Sequence, residues 1–201
     1  MSFLSNSHIS LTTSRIETLR CVLVPFSTDG RVDIHELQVE FSKANKNLYV
    51  APTLPTYEEE LEYVRKAEEK IGKGEEFENF IMDKTTHKLL GCGWLRVLES
   101  WELNIGIWIR ENEHGKWYAT EAYGSLIDWA REYTDHTFLR HSLDPLNEPS
   151  RRLALKFAGA LQDEKTERGH EVYHIPIENI RNGLIHSVGI FPAGPLIVLA
   201  R

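Results

Sequence analysis

The sequence predicts an α/β layered domain. Two observations carry that expectation. Strand-like and helix-like patterns alternate along the 201 residues in the order β α α β β β α β α β β, which is the texture of helices layered on a sheet. The segment from Trp101 to Glu121, WELNIGIWIRENEHGKWYATE, reads as strand, short glycine-bearing loop, then helix. That order sets free backbone N–H groups and the positive end of a helix dipole where an anion would sit. A composition that is 41% hydrophobic and 26% charged suffices for one core.

The elements follow in order. Residues 1–14 are polar and read as a flexible N-terminus. Cys21–Phe26 is the first strand, closed by Ser27-Thr28-Asp29-Gly30. Ile34, Leu37, Phe41 and Ala44 line a helix, with Asp33 and Glu36 spaced as a capping pair. Residues 45–55 read as a loop bearing Tyr49, Pro52 and Pro55. Thr56 and Glu59 form a second capping box before the stripe Leu61, Val64, Ala67, Ile71, and Gly72 and Gly74 end that helix. Phe77–Asp83 and His87–Val97 make a hairpin around Lys84-Thr85-Thr86. In the strand 102–109, Leu103, Ile105, Ile107 and Ile109 face one way and Asn104, Gly106 and Trp108 the other. A helix over 116–133, a strand Phe138–Ser142, a turn Asp144–Pro149 and a helix Ser150–Gly159 come next. A hairpin of Leu161–Thr166 and Glu171–Ile177 turns at Arg168-Gly169. Residues 178–201, with Gly183, Gly189, Pro192, Gly194 and Pro195, break this texture and read as an added strand, a partner-binding tail or, the favoured reading, a disordered or loosely docked end.

The formal net charge is −7 and no Lys/Arg run exists, which argues against nucleic acid as a partner. An acidic surface suits a cationic acceptor and is also ordinary for a cytosolic protein. Cys21 and Cys92 lie in apolar strand-like runs and read as buried free thiols. No Cys/His spacing suggests a metal site, the start of the chain has no signal-peptide pattern, and no segment has the length of a membrane span. Cytoplasmic is the expected location.

Two blocks, ELNIGIWIRENEHGKWYATEA and LDPLNEPSRRLALKFAGALQDE, resemble the GNAT superfamily of acetyl-CoA-dependent N-acetyltransferases. Within it the chain resembles the branch of ribosomal-protein N-terminal (alanine and serine) acetyltransferases. The opening Ile16 to Arg20, the LVPF that follows and the DKTTHKLLGCGWL hairpin are similar too. The likeness spans residues 15–177. It implies a mixed, mostly antiparallel central sheet with helices on both faces and splayed central strands. It also implies acetyl-CoA as donor, a primary amine as acceptor (a protein N-terminus or a small amine), no metal, and a monomer or homodimer.

The family's pyrophosphate loop, Q/R-x-x-G-x-G/A, falls on His114, Gly115, Lys116, Trp117, Tyr118 and Ala119, with Thr120 next. His114 replaces Gln or Arg, and Trp117 stands where the family has glycine. If that position needs φ > 0, Trp is a costly choice. Three readings stay open: the indole points to solvent, it occupies part of the groove, or activity has been lost. By the same resemblance, the backbone of Ile107, Trp108 and Ile109 pairs with the coenzyme arm, Asn147 contacts that arm, and Ser150 protonates the leaving thiolate. The plainer account of Asn147 and Ser150 is a turn and a helix cap.

Acetyl transfer needs a polarised carbonyl, a neutral amine, close approach and a stabilised thiolate. Glu102 is the base candidate, weighed against an exposed carboxylate at a strand end. Tyr173 and His174 are held in reserve. The competing function is a non-catalytic acyl-CoA-binding or interaction module that keeps the fold, favoured by Trp117.

Overall fold

The computed structural model describes Leu4 and residues 9–48, 55–177 and 189–190. The elements are β1 (Ile16–Glu17), β2 (Cys21–Pro25), α1 (Ile34–Leu48), α2 (Tyr57–Lys73), β3 (Glu76–Asp83), β4 (Leu89–Val97) and β5 (Leu103–Ile109). After a 3-10 turn at Glu111–Glu113 come α3 (Tyr118–Tyr133), β6 (Phe138–Leu143), α4 (Glu148–Lys156), β7 (Ala160–Lys165), β8 (Glu171–Pro176) and β9 (Gly189–Ile190). Among the described residues one sheet runs in the order β7-β8-β6-β5-β4-β3-β2-β1-β9. Every pairing is antiparallel except β5 with β6. The short edge pair β1 and β9 adds to the expected order. Two residues are too few to display an alternating pattern, so periodicity alone marks neither strand, although the family resemblance covers Ile16 and Glu17.

Helices cover both faces. On one, Phe41 of α1 meets Trp108 at 5.5 Å between ring centroids, and the Arg96 guanidinium lies 5.7 Å from the Tyr63 ring of α2. On the other, Trp129 of α3 packs on Phe77 at 4.4 Å. A Cβ on Gly106 would sit 2.1 Å from the Trp94 ring, so the absent side chain is what lets that indole lie across β5. Among the described residues no helix is long and apolar enough to cross a membrane.

Local chemistry explains most boundaries. Thr56 and Glu59 close the capping box reciprocally, at 3.2 and 2.8 Å. Gly74, at φ 70°, ends α2, while Gly72 lies inside the helix. At α1 the box is half made. Asp33 accepts from the His35 N–H at 2.9 Å, but Glu36 turns to Arg110 at 3.0 Å. The expected loop from residue 45 begins later, because Asn45 to Leu48 contains no Gly or Pro and continues the helix. The rest of that loop, with Tyr49 and Pro52, lies outside the described residues, as does the tail apart from β9. The N-terminal stretch is not wholly polar fray: Leu11 is buried in the core, and the Ser14 N–H bonds the Leu11 carbonyl. Cys21 and Cys92 are buried free thiols, as their apolar setting implies.

Candidate active site

The sheet opens beside β5. That strand pairs with β4 along its whole length, from Leu103 to Ile109, but meets β6 only at Asn104↔Arg140. The Asn104 side chain pins this fork, donating to the Arg140 carbonyl at 3.0 Å and accepting from the Trp94 indole at 3.3 Å. Beyond the fork the strands splay. Alternate residues of an antiparallel pair exchange hydrogen bonds. Leu98 N–H donates to the Glu102 carbonyl and Arg110 N–H to the Leu90 carbonyl. The even-numbered rungs of β5 are therefore tied to β4, and the backbone polar groups of Ile105, Ile107 and Ile109 point toward the splay. Two histidines cover the outer carbonyls. His114 Nε2 lies 2.7 Å from the Ile109 oxygen and His141 Nδ1 lies 3.2 Å from the Ile105 oxygen. Ile107 stands between them.

The loop after β5 turns back with Gly115 at φ 76° and Trp117 at φ 69°, ψ 5°. Trp117 is the N-cap of α3 and makes no side-chain cap. The first helical bond is Glu121 N–H to the Trp117 carbonyl, 3.1 Å, so α3 supplies no acceptor for the amides of Tyr118, Ala119 and Thr120. The helix start is anchored from behind. The buried Glu121 carboxylate accepts from Thr18 and from the Arg20 backbone and guanidinium. Burial pushes that carboxyl up, but the hydrogen bonds outweigh it and hold it below its ordinary value. Arg20 also donates to the Lys116 carbonyl at 2.9 Å.

Opposite this loop stands α4. Asn147 is its N-cap, accepting from the Ser150 N–H at 3.2 Å. Ser150 is therefore the third residue of the helix rather than its cap, which frees its hydroxyl. Between the splay, the loop and α4 lies a cleft of about 550 Å³. It is lined by Ile107, Trp108, Ile109, His114, Gly115, Trp117, Tyr118, Ala119, Thr120, Asn147 and Ser150. Of the expected coenzyme-binding positions only Lys116 is outside, its ammonium paired with Glu113 at 2.9 Å. Trp117 is 66% exposed, and the Lys156 ammonium sits over its ring at 3.9 Å. The indole thus lines the cleft and reaches to α4. Sequence reasoning missed Glu113 and one face of α4, Pro149, Arg152, Leu153 and Lys156. The spacing of Pro149, Arg152, Leu153 and Lys156 (i, i+3, i+4, i+7) marks one helical stripe and was the available signal.

Behind Ser150 lies a polar chain that the sequence did not reveal. Ser150 Oγ is 2.8 Å from His141 Nε2, and the Tyr123 hydroxyl is 3.1 Å from His141 Nδ1. His141 is 3% exposed, and burial pushes it down to about 4. It is neutral under ordinary conditions.

Glu102 does not line the cleft. It precedes β5 by one residue, about 13 Å of extended chain from Gly106 at roughly 3.3 Å per residue. Its carboxylate is held by Ser100 at 2.8 Å and Arg140 at 3.2 Å, with His174 Nε2 at 3.8 Å. Glu164 shares the Arg140 guanidinium. Tyr173 is buried against Glu171 and lies outside the cleft with His174.

The fold is shared with known proteins. The model of the acetyltransferase (GNAT) domain family matches residues 20–159. No curated protein matches the chain. Among solved structures, a ribosomal-protein-S5-alanine acetyltransferase from Vibrio fischeri superposes with TM-score 0.69 at 15% identity, over 82% of this chain and 97% of that one. An acetyltransferase from Agrobacterium tumefaciens gives 0.69 at 18%, over 85% and 98%. A microcin self-immunity acetyltransferase, solved with acetyl-CoA and AMP, gives 0.64 at 18%, over 83% and 98%. At these identities the likeness is one of fold.

Proposed function

The chain belongs to the GNAT acetyltransferase family, and on that premise we propose that it moves an acetyl group from acetyl-CoA to a primary amine, by direct attack in a ternary complex. A protein N-terminus is the acceptor we favour, on the resemblance in the two motif blocks and on the ribosomal-protein enzyme among the structural neighbours. We place the reaction in the cytoplasm, in keeping with two buried free thiols.

One observation carries the reading: a splayed β5 edge, unpaired amides at the start of α3 and the cations of α4 converge on one cleft. Each suits a different part of the donor. The amides of Tyr118, Ala119 and Thr120 and the positive end of α3 suit a pyrophosphate. Lys156 and Arg152 add countercharge. The open rung at Ile107 suits the amide-bearing arm, and its N–H is positioned to polarise a thioester carbonyl. Ser150 is the hydroxyl offered to the departing thiolate. The amine must lose a proton. Glu102 serves that end only through a chain of water, given its distance from the splay. If it does serve, Glu102→Gln should remove the acid limb of the kcat/KM profile; an unchanged limb rules Glu102 out.

The non-catalytic reading rests on Trp117. Its indole is largely exposed, and that exposure supports cofactor binding. The test is acetyl-CoA turnover with an alanine-initiated peptide, followed by release of free thiol. Coenzyme binding without turnover on any amine would favour the interaction module.

A further inference from the structure

We propose that His141 is a positioning residue for acetyl transfer: it holds the Ser150 hydroxyl and takes and returns its proton, so that the pair carries the proton of the amine to the departing sulfur. This rests on the acetyl-transfer reading above.

The contacts of the two ring nitrogens support the following roles. A carbonyl oxygen can only accept, and His141 Nδ1 lies 3.2 Å from the Ile105 carbonyl. That carbonyl points into the splay, where β6 no longer runs alongside to satisfy it. A buried backbone acceptor without a donor is costly, so Nδ1 carries the proton and gives it to Ile105. The Tyr123 hydroxyl lies 3.1 Å from Nδ1; in the proposed tautomer its oxygen accepts from Nδ1, whereas in the opposite one its O–H donates to a bare Nδ1, and the test below separates the two. Nε2 then keeps its lone pair, and Ser150 donates its O–H across 2.8 Å. The result is a hydroxyl, a base and an orienting acceptor in line, the arrangement by which a buried imidazole activates a hydroxyl. Burial keeps the imidazole uncharged at rest, ready to accept.

The proton accounting closes for an acceptor that enters as the neutral amine. Attack by the amine on the thioester carbon forms the C–N bond and leaves a positively charged nitrogen. Its proton passes to Ser150 Oγ as the Ser150 proton passes to His141 Nε2. When the C–S bond breaks, Nε2 returns a proton to Oγ, and Oγ gives one to the thiolate. The net change is one proton moved from nitrogen to sulfur, with both side chains restored. Nitrogen and sulfur share the same carbon at this stage, so one hydroxyl in the cleft can serve both. The scheme leaves the first deprotonation, of the ammonium, to water or to a relay from Glu102.

The test has two arms. In the full chain carrying ¹⁵N-labelled histidine, long-range proton–nitrogen correlation reads the tautomer of His141, assigned by its loss in His141→Gln. A protonated Nδ1 and bare Nε2 is expected; a protonated Nε2 overturns the proposal whatever the activity. Kinetics with acetyl-CoA and an alanine-initiated peptide form the second arm. Ser150→Ala and His141→Gln should each lower kcat about 100-fold with acetyl-CoA affinity unchanged, and the double variant should lose no more than either. His141→Asn, which keeps a donor for Ile105 but no group at the Nε2 position, should lose as much. Thermal melting checks that each variant folds. If His141→Gln and His141→Asn keep kcat within threefold while Ser150→Ala does not, the proposal fails. If the wild-type chain does not turn over this peptide, the acceptor reading falls, and the tautomer alone decides the role of His141.

Discussion

Trp117 breaks a local rule on the lining of the cleft. Its φ of 69° places a bulky side chain in the left-handed region, at a cost of about 1–2 kcal/mol. Lys156 over its ring returns part of that, about 0.5–1 kcal/mol for an exposed cation–π contact. Trp117→Gly should therefore leave stability equal or slightly higher, with acetyl-CoA affinity within about threefold; a tenfold tightening would mean that the indole crowds the groove. Two buried titratable residues leave opposite marks on stability. His141 is held at about 4 against 6.5. Between those values the unfolded chain binds the extra proton, so stability is lost as pH falls, by about 3 kcal/mol in all. Glu60 is 7% exposed, and burial, then the nearby Glu78, raise it from 4.5 to about 7. The folded chain binds the extra proton there, so stability is lost as pH rises, by a similar amount. Between pH 4.5 and 6.5 the two oppose each other, so the wild-type curve should be shallower than that of either variant. Glu60→Gln should unmask a loss toward acid and His141→Gln a loss toward neutral pH, read by denaturant unfolding at each pH. Parallel curves for wild type and both variants would contradict this.

At the level of elements, α2 and α4 do different work. In α2 the capping box and Gly74 set the ends, and Thr56→Ala should cost about 1 kcal/mol in unfolding free energy with no change in coenzyme affinity. In α4 the stripe Arg152, Leu153, Lys156 faces the cleft. Lys156→Gln should weaken acetyl-CoA about tenfold, roughly 1.4 kcal/mol, and flatten the salt dependence of binding, since a phosphate countercharge is removed. Calorimetry at two ionic strengths reads both; an unaltered salt slope would show that Lys156 serves Trp117 alone. The contrast also explains what could be read in advance. Capping boxes, the long alternation of β5 and the loop after it are local signals, and they located α2, the central strand and the start of α3. Which face of α4 meets the cleft depends on how the chain folds back, and so do the two-residue edge strands.

Across the whole molecule, the sheet is a scaffold with one deliberate fault. Continuous pairing from β5 through β4 and β3 to β2 gives a rigid half, and the single rung at Asn104 and Arg140 lets the other half part from it. The two motif blocks hold most of the residues that line the cleft, so its place was legible in the sequence. The proton chemistry was hidden. His141 reaches Ser150 and Ile105 only through the meeting of β6, α4 and β5, and Glu102, which local order placed beside the reaction, is drawn away by Arg140 from β6. The account depends above all on the cleft accepting the coenzyme despite Trp117. Calorimetric titration of the folded chain with acetyl-CoA tests this most directly. One-to-one binding in the micromolar range is expected; no heat and no stabilisation by the coenzyme, in a chain shown to be folded, would contradict it.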